Sequence, residues 1–136
     1  MSKILAFDYG DKRIGVAVSD PSGTIASVVG AFGNEGIKKT IEFIKGLCKE
    51  HSAAKIVVGM PHGLSGKETE QTTKTKKFIK NLSEAVSLEI IEVDERFSSA
   101  MAEQQFIEKG QKARSEDVDS ASARIFLQDY LDKNNN

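Results

Sequence analysis

The spacing of apolar residues changes between Phe32 and Ile37, and that change fixes the class of fold. Before it the chain reads as strands. Ile4-Leu5-Ala6-Phe7 is a short apolar run closed by Asp8, and Arg13–Ser19 alternates, with Ile14, Val16 and Val18 on one face and small residues on the other. A third β-rich run extends from Thr24 to Phe32. Gly10-Asp11 reads as a two-residue hairpin turn and Asp20-Pro21-Ser22-Gly23 as a second turn, so the three strands are expected to form an antiparallel meander. After the change, Ile37, Ile41, Ile44 and Leu47 recur at helical steps. Ala54–Gly59 is a strand, and Ser65–Glu68 has the S-x-x-E form of a capping box opening a helix that runs to about Ser83. Leu88–Val93 is a further strand, Ser99–Lys109 a helix stopped by Gly110, and Ser115 caps a last helix with Val118, Ala121, Ser122 and Ile125 as its buried stripe. The order βββαβαβαα implies an α/β fold: a mixed five-stranded sheet, an antiparallel meander plus two parallel strands, flanked by helices.

A chain of 136 residues suits a single domain, 1–136, with residues 131–136 expected to fray. Nineteen basic against twenty acidic residues leave a net charge of −1, so no nucleic-acid partner follows from charge alone, although a local patch can still supply one. One cysteine, Cys48, makes no internal disulfide and fits a reducing compartment; beside the apolar stripe of its helix it reads as core filler. No apolar run is long enough for a membrane span and no signal-peptide layout opens the chain, so a cytoplasmic protein without membrane contact is expected. The phenylalanines at 7, 43, 78, 106 and 126 fall on apolar positions and read as core.

Three segments could carry chemistry. Asp8 ends a strand beside a glycine turn, where a carboxylate on a rigid element suits a metal or a nucleophilic water, and Gly10 and Gly15 leave room for a phosphate. A bare D-x-G also serves simply to shape a turn. Asp94-Glu95-Arg96 closes another strand, at the end where open α/β sheets bind ligands; a solvated charge cluster has the same look. Asp119 lies in the first turns of the last helix, at the rim of its stripe. Three acids on three elements are the minimum for a hard divalent cation. Separately, the glycine-rich loop 59–66 leads through His62 and Lys67 into a lysine-rich helix, a pattern shared by phosphate-tracking patches and by ordinary solvated helix faces.

Together these residues resemble the YqgF/RuvX family of bacterial RNase H-fold nucleases, also described as Holliday-junction-resolvase-like. The resemblance runs from Ile4 to Leu131 in four ordered blocks: D-x-G-x-x-R-x-G-x-A (Asp8, Gly10, Arg13, Gly15, Ala17), G-x-P and a later Gly (Gly59, Pro61, Gly66), D-E-R-F-S-S (Asp94–Ser99), and the helix from Asp119 to Leu131 ending L-Q-D-Y-L. The resemblance implies an RNase H-like fold. It implies Asp8, Glu95 and Asp119 as the acids holding two Mg²⁺ or Mn²⁺ ions, with Arg13 and Arg96 on phosphates; Gly10, His62 and Lys67, from the turn and loop described above, are the further candidate substrate contacts. It implies metal-dependent endonuclease activity in trimming the 5′ end of 16S ribosomal RNA precursors, with RNA rather than DNA as substrate, pre-ribosomal particles as partners, and a monomer or weak homodimer. Resolution of four-way DNA junctions is the alternative activity. Two departures stand out: Gly63 where the family loop usually carries Asn, next to an atypical His62, and only two basic residues in 111–117. The second predicts weaker nucleic-acid affinity with a shallower salt dependence.

Two readings from other classes compete. An ATP-binding module of the actin/hexokinase type also opens with a hairpin carrying D-x-G, but needs two lobes where this length supplies one. A non-catalytic assembly factor would keep the fold and bind nucleic acid independently of metal; its acids would then repel phosphate with nothing to neutralise them.

Overall fold

A computed structural model of the chain describes residues 3–61, 69–94 and 115–134. Five strands, β1 (Lys3–Tyr9), β2 (Arg13–Ser19), β3 (Ala26–Gly33), β4 (Ala53–Met60) and β5 (Glu89–Asp94), form one sheet in the order β3-β2-β1-β4-β5. The β1–β2 and β2–β3 pairs are antiparallel, and β4 runs parallel to both β1 and β5. This is the expected mixed sheet. The helices are α1 (Ile37–His51), α2 (Glu70–Ala85) and α3 (Ser115–Asn134). The helix expected over Ser99–Lys109 lies outside the described residues, as does Phe106.

Strand alternation sorts the side chains into two cores. Leu5, Phe7 and Tyr9 of β1, with Ile14, Val16, Ile56 and Val58, pack against Ile41, Ile44 and Leu47 of α1 and Phe78 and Leu82 of α2. On the opposite face Ala6, Ala17, Ala26 and Val57 meet Ala123, Phe126, Leu127 and Leu131 of α3. Alanines on both sides let α3 lie close to the sheet, and each large side chain it buries contributes roughly 1.5–3 kcal/mol. The stripe expected on this helix is therefore displaced. Ala121 and Ser122 are buried as expected, but Ile125 is only half-buried and Phe126, Leu127 and Leu131 carry the packing. The helix continues through Asn134, past the point where fraying was expected to begin.

Three boundaries differ from expectation for identifiable reasons. The β1–β2 connection is residues 10–12 rather than a two-residue turn, closed by the Gly10 N–H on the Arg13 carbonyl at 3.0 Å. β3 starts at Ala26, not Thr24, because the N–H groups of Thr24 and Ile25 donate to Asp20 Oδ1 at 2.7 and 3.0 Å and are lost to the ladder. α2 starts at Glu70, capped by Thr69: the Thr69 hydroxyl accepts from the Thr72 N–H and the Thr72 hydroxyl accepts from the Thr69 N–H. A reciprocal Thr–Thr box does the work assigned to Ser65 and Glu68.

The Asp20 turn gives a pH-dependent prediction. The backbone N–H of Ile25, the Ser22 hydroxyl and the Thr24 N–H all donate to the Asp20 carboxylate and lower its pKa to about 2. A carboxylate depressed in the folded state adds stability that is present above its unfolded pKa of ~3.9 and is lost as pH falls through the folded value. Asp20→Asn is thus expected to melt below the wild type at pH 7, with the two melting curves converging between pH 4 and 2. Thermal melts across that range check it; a gap independent of pH would contradict it.

Candidate functional site

Asp8 sits half-buried near the C-terminal end of β1, on the face covered by α3, two residues beyond Ala6. Its antiparallel partner is Gly15. On the other side Phe7 pairs with Val58, so Gly59 is the next residue of β4 beside Asp8. Gly15 in turn pairs with Ala31. Gly59 pairs with Val93, so the row Ala31–Gly15–Asp8–Gly59–Val93 crosses the sheet with Asp8 as its one polar side chain and a glycine on either side of it. Arg13 lies two residues from Gly15 and so on the same face, a diagonal neighbour ~7–8 Å from Asp8 along the ladder. The sheet brings these two predicted residues together.

Helix α3 approaches from the side. The Gln128 amide spans the start of β3, accepting from the Ala26 N–H at 2.9 Å and donating to the Thr24 carbonyl at 2.9 Å. Most buried residues of α3 precede Gln128, so the helix runs from there along the sheet toward Asp8. From Gln128 back to Asp119 the helix rises ~13.5 Å, and from Ser19, the partner of Ala26, back to Gly15 the strand covers about the same length. The helix is therefore long enough for Asp119 to reach the level of Asp8. Glu95, Arg96, His62 and Lys67 lie outside the described residues. Among the described residues no group of three His, Cys, Asp or Glu side chains is placed to hold a metal.

The hairpin that carries Asp8 and Arg13 is held by residues that sequence reasoning missed. Ile4 directs its N–H to the Ser19 hydroxyl on β2, so by alternation Tyr9 directs its backbone groups toward β4. Continuing the parallel ladder from the Phe7–Val58 pair, the Tyr9 carbonyl would take the N–H of residue 61. Residue 61 is proline and has none. The Gln71 side chain supplies the missing donor, at 2.8 Å from the Tyr9 carbonyl oxygen. The Thr72 hydroxyl donates to the Pro61 carbonyl, tying the same strand end to the first turn of α2. Asn34 does the equivalent work from the β3 side: its Nδ2 donates to the Gly10 carbonyl at 2.8 Å and its Oδ1 accepts from the Gly36 N–H at 3.0 Å. Lys74 donates to both Asp11 carboxylate oxygens at 3.2 Å. That carboxylate holds the Lys74 ammonium above the ordinary lysine range. Lys74, on the lysine-rich helix that reads as either a phosphate-tracking patch or a solvated face, is a clasp on the hairpin. A proline at a strand end followed by a polar first helical turn is the signal that could have pointed to Gln71.

Gly10 has a steric reason to be glycine. A Cβ there would stand 2.7 Å from the Arg13 carbonyl oxygen, a backbone atom that can move only with the hairpin. Gly10→Ala is expected to cost about 1–3 kcal/mol, the usual scale of overpacking, with the loss read from urea unfolding. An unchanged midpoint would show that the loop relaxes freely. Elsewhere, Cys48 is half-buried against the α1–α2 core, and burial pushes its thiol pKa up, in keeping with an inert filler.

Comparison with known proteins extends the geometry. A protein from Sulfurihydrogenibium sp. named "Putative pre-16S rRNA nuclease" is 45% identical over 135 residues, covering 98% of this chain and 92% of that protein. One of the same name from Fusobacterium nucleatum is 40% identical over 136 residues, covering 97% and 98%. Among solved structures, Thermus thermophilus RuvC in complex with a Holliday junction substrate matches with a TM-score of 0.65 at 9% identity, covering 98% of this chain and 96% of that one. The fowlpox virus Holliday junction resolvase matches with a TM-score of 0.58 at 14% identity, covering 96% and 98%. At such identities the likeness is one of fold, and the fold is RNase H-like. No described helix is long and apolar enough to cross a membrane. The sequence pattern of the family described as RuvX, Holliday junction resolvase, matches residues 2–133, and with relatives this similar over nearly their whole length the chain belongs to the RuvX family.

Proposed function

We propose that this protein is a divalent-metal-dependent phosphodiester endonuclease that processes the 5′ end of precursor 16S ribosomal RNA in the cytoplasm. The observation that carries this reading is the row across the sheet: a rigid strand presents Asp8 between glycines, with Arg13 diagonal to it on the same face. The family membership and the names of the relatives support a hydrolytic nuclease.

Hard divalent cations take oxygen ligands, and a carboxylate with a glycine on either side of it in its row fits such an ion. Asp8, Glu95 and Asp119 would hold Mg²⁺ or Mn²⁺. Two such ions would supply activation of a water and stabilisation of the leaving oxygen. The remaining work belongs to the chain. Arg13 and Arg96 grip the phosphates flanking the cut through their planar donor forks. Gly10 keeps the hairpin tight so that Arg13 stays beside Asp8. His62 and Lys67 extend the contact along the backbone of the nucleic acid. The substrate is RNA, met within pre-ribosomal particles by a monomer or weak homodimer.

The test is a cleavage assay in Mg²⁺ and in Mn²⁺ with a single-stranded RNA, a ribosomal precursor fragment and a four-way DNA junction, each beside an EDTA control. Metal-dependent cutting of the precursor is the expected result. Symmetric cutting of the junction alone would instead establish a resolvase. Metal-independent binding without cutting of any substrate would establish an assembly factor.

A further inference from the structure

A cavity of about 370 Å³ opens between the end of β3 and the start of α1, lined by Phe32, Gly33, Glu35, Lys39, Thr40 and Phe43. That is within the ~300–1,000 Å³ range of small-ligand clefts. Phe43, expected in the core, is only half-buried, and its ring meets that of Phe32 with centroids 4.7 Å apart and planes tilted by 53°. The cleft lies at the same end of the sheet as Asp8, since Gly33 on its wall is the ladder partner of Arg13. Phe32 pairs with Ile14 and packs with Phe43 on the α1 side of the sheet, so the cleft opens on the face opposite Asp8; a strand leaving Asp8 would reach it over this end of the sheet, with β3 two strand spacings, ~10 Å, from β1. Lys12, Lys38 and Lys39 are exposed around this end, and none makes an ion pair with a described residue. Lys38 and Lys39 stand in the first turn of α1, which carries no acidic residue and where the helix dipole disfavours cations, so these charges do not serve the helix.

We infer that this cleft is a subsite for an unpaired nucleotide of the substrate strand, beyond the phosphates held at Asp8 and Arg13. The chemistry is complementary to such a nucleotide. The Phe32–Phe43 pair offers an aromatic surface on which any base can stack. The exposed Glu35 carboxylate at the mouth accepts hydrogen bonds from the amino edge of a base. Lys39 neutralises the adjoining phosphate. A duplex has no free base to offer, so the subsite selects single-stranded flanks. The Thr40 hydroxyl on the cleft wall is bonded to Asn34 Oδ1, and Asn34 holds the Gly10 carbonyl, so the cleft wall and the Asp8 hairpin form one rigid unit.

The inference rests on the nuclease reading for the path of the strand, but binding can be measured without cutting. Fluorescence anisotropy of a labelled 12-nucleotide single-stranded RNA, its DNA counterpart and a blunt RNA duplex would be recorded in EDTA for the wild type, Lys39→Glu, Phe43→Leu and, as a distant charge control, Lys133→Glu. The expected result is tighter binding of the single strands than of the duplex, weakened at least ~5-fold by Phe43→Leu, the low end of what one stacked base supplies, and by Lys39→Glu more than by Lys133→Glu. Lys39 is exposed, so its variant keeps the test valid if Phe43→Leu unfolds. Single-strand affinity unchanged in Phe43→Leu and equal in the two lysine variants would overturn the inference. If the wild type also cuts RNA in that case, the nuclease stands without the cleft. If cleft-dependent binding is found and nothing is ever cut, the cleft stands without the nuclease.

Discussion

Asp8→Asn is expected to abolish metal-dependent cutting, by at least ~10³-fold, while the protein remains folded. The substitution keeps the volume and the hydrogen-bonding edge of the side chain but removes its negative charge, the property a hard cation requires. Asp8 is half-buried in a row whose neighbours are Gly15 and Gly59, so no other side chain in that row can stand in for it. Because the substitution is nearly isosteric, the variant should melt within ~3 °C of the wild type, the scale of a mild polar substitution. Single-turnover cleavage in Mg²⁺ and Mn²⁺, paired with thermal melts, measures both. Cutting retained at more than a tenth of the wild-type rate in a folded variant would remove Asp8 from the site.

The sheet was legible because its signals are local. Ile14, Val16 and Val18 alternate between two turns, and a switch to helical spacing at Ile37 supplies the crossover that a following parallel strand needs. Asp8 and Arg13 were legible as candidates for the same reason. That they share a face was not, because a slip of one residue in the β1–β2 register would send Arg13 to the opposite side, and only the Asp8–Gly15 pairing settles it. The start of α2 was misread at Ser65 because S-x-x-E is a common tetrapeptide, whereas two threonines capping each other at 69 and 72 do not match it. The stripe of α3 was misread because the helix lies against Ala6 and Ala17, and a surface that flat admits a broad band of the helix rather than a narrow seam. Gln128, read only as part of a motif, fixes how far along the sheet α3 sits, a function visible only once its bonds to Thr24 and Ala26 are known.

Gln71→Met should separate positioning from packing. Methionine matches glutamine in length but cannot donate, so the Tyr9 carbonyl loses its bond at the point where Pro61 has already deprived it of a ladder partner. An unsatisfied, partly buried carbonyl costs about 1–3 kcal/mol, and on a domain of this size that lowers the melting temperature by several degrees. The larger consequence is geometric. Tyr9 directly follows Asp8, and with the Gln71 bond gone the side-chain bonds left on the 9–12 connection, among the described residues, are those of Asn34 on the far side and the exposed Lys74–Asp11 pair. Displacement of a catalytic group by ~1 Å costs on the order of 10²-fold in rate. The expected signature is therefore a fall of roughly 10- to 100-fold in kcat with KM little changed. It should be accompanied by a weaker apparent Mn²⁺ affinity in a direct titration without substrate, which a simple loss of stability would not produce well below the melting temperature. Raising the stability of the variant with a compatible osmolyte should leave the kcat deficit in place. If the osmolyte restores the rate, Gln71 supports the fold and does not set the position of Asp8.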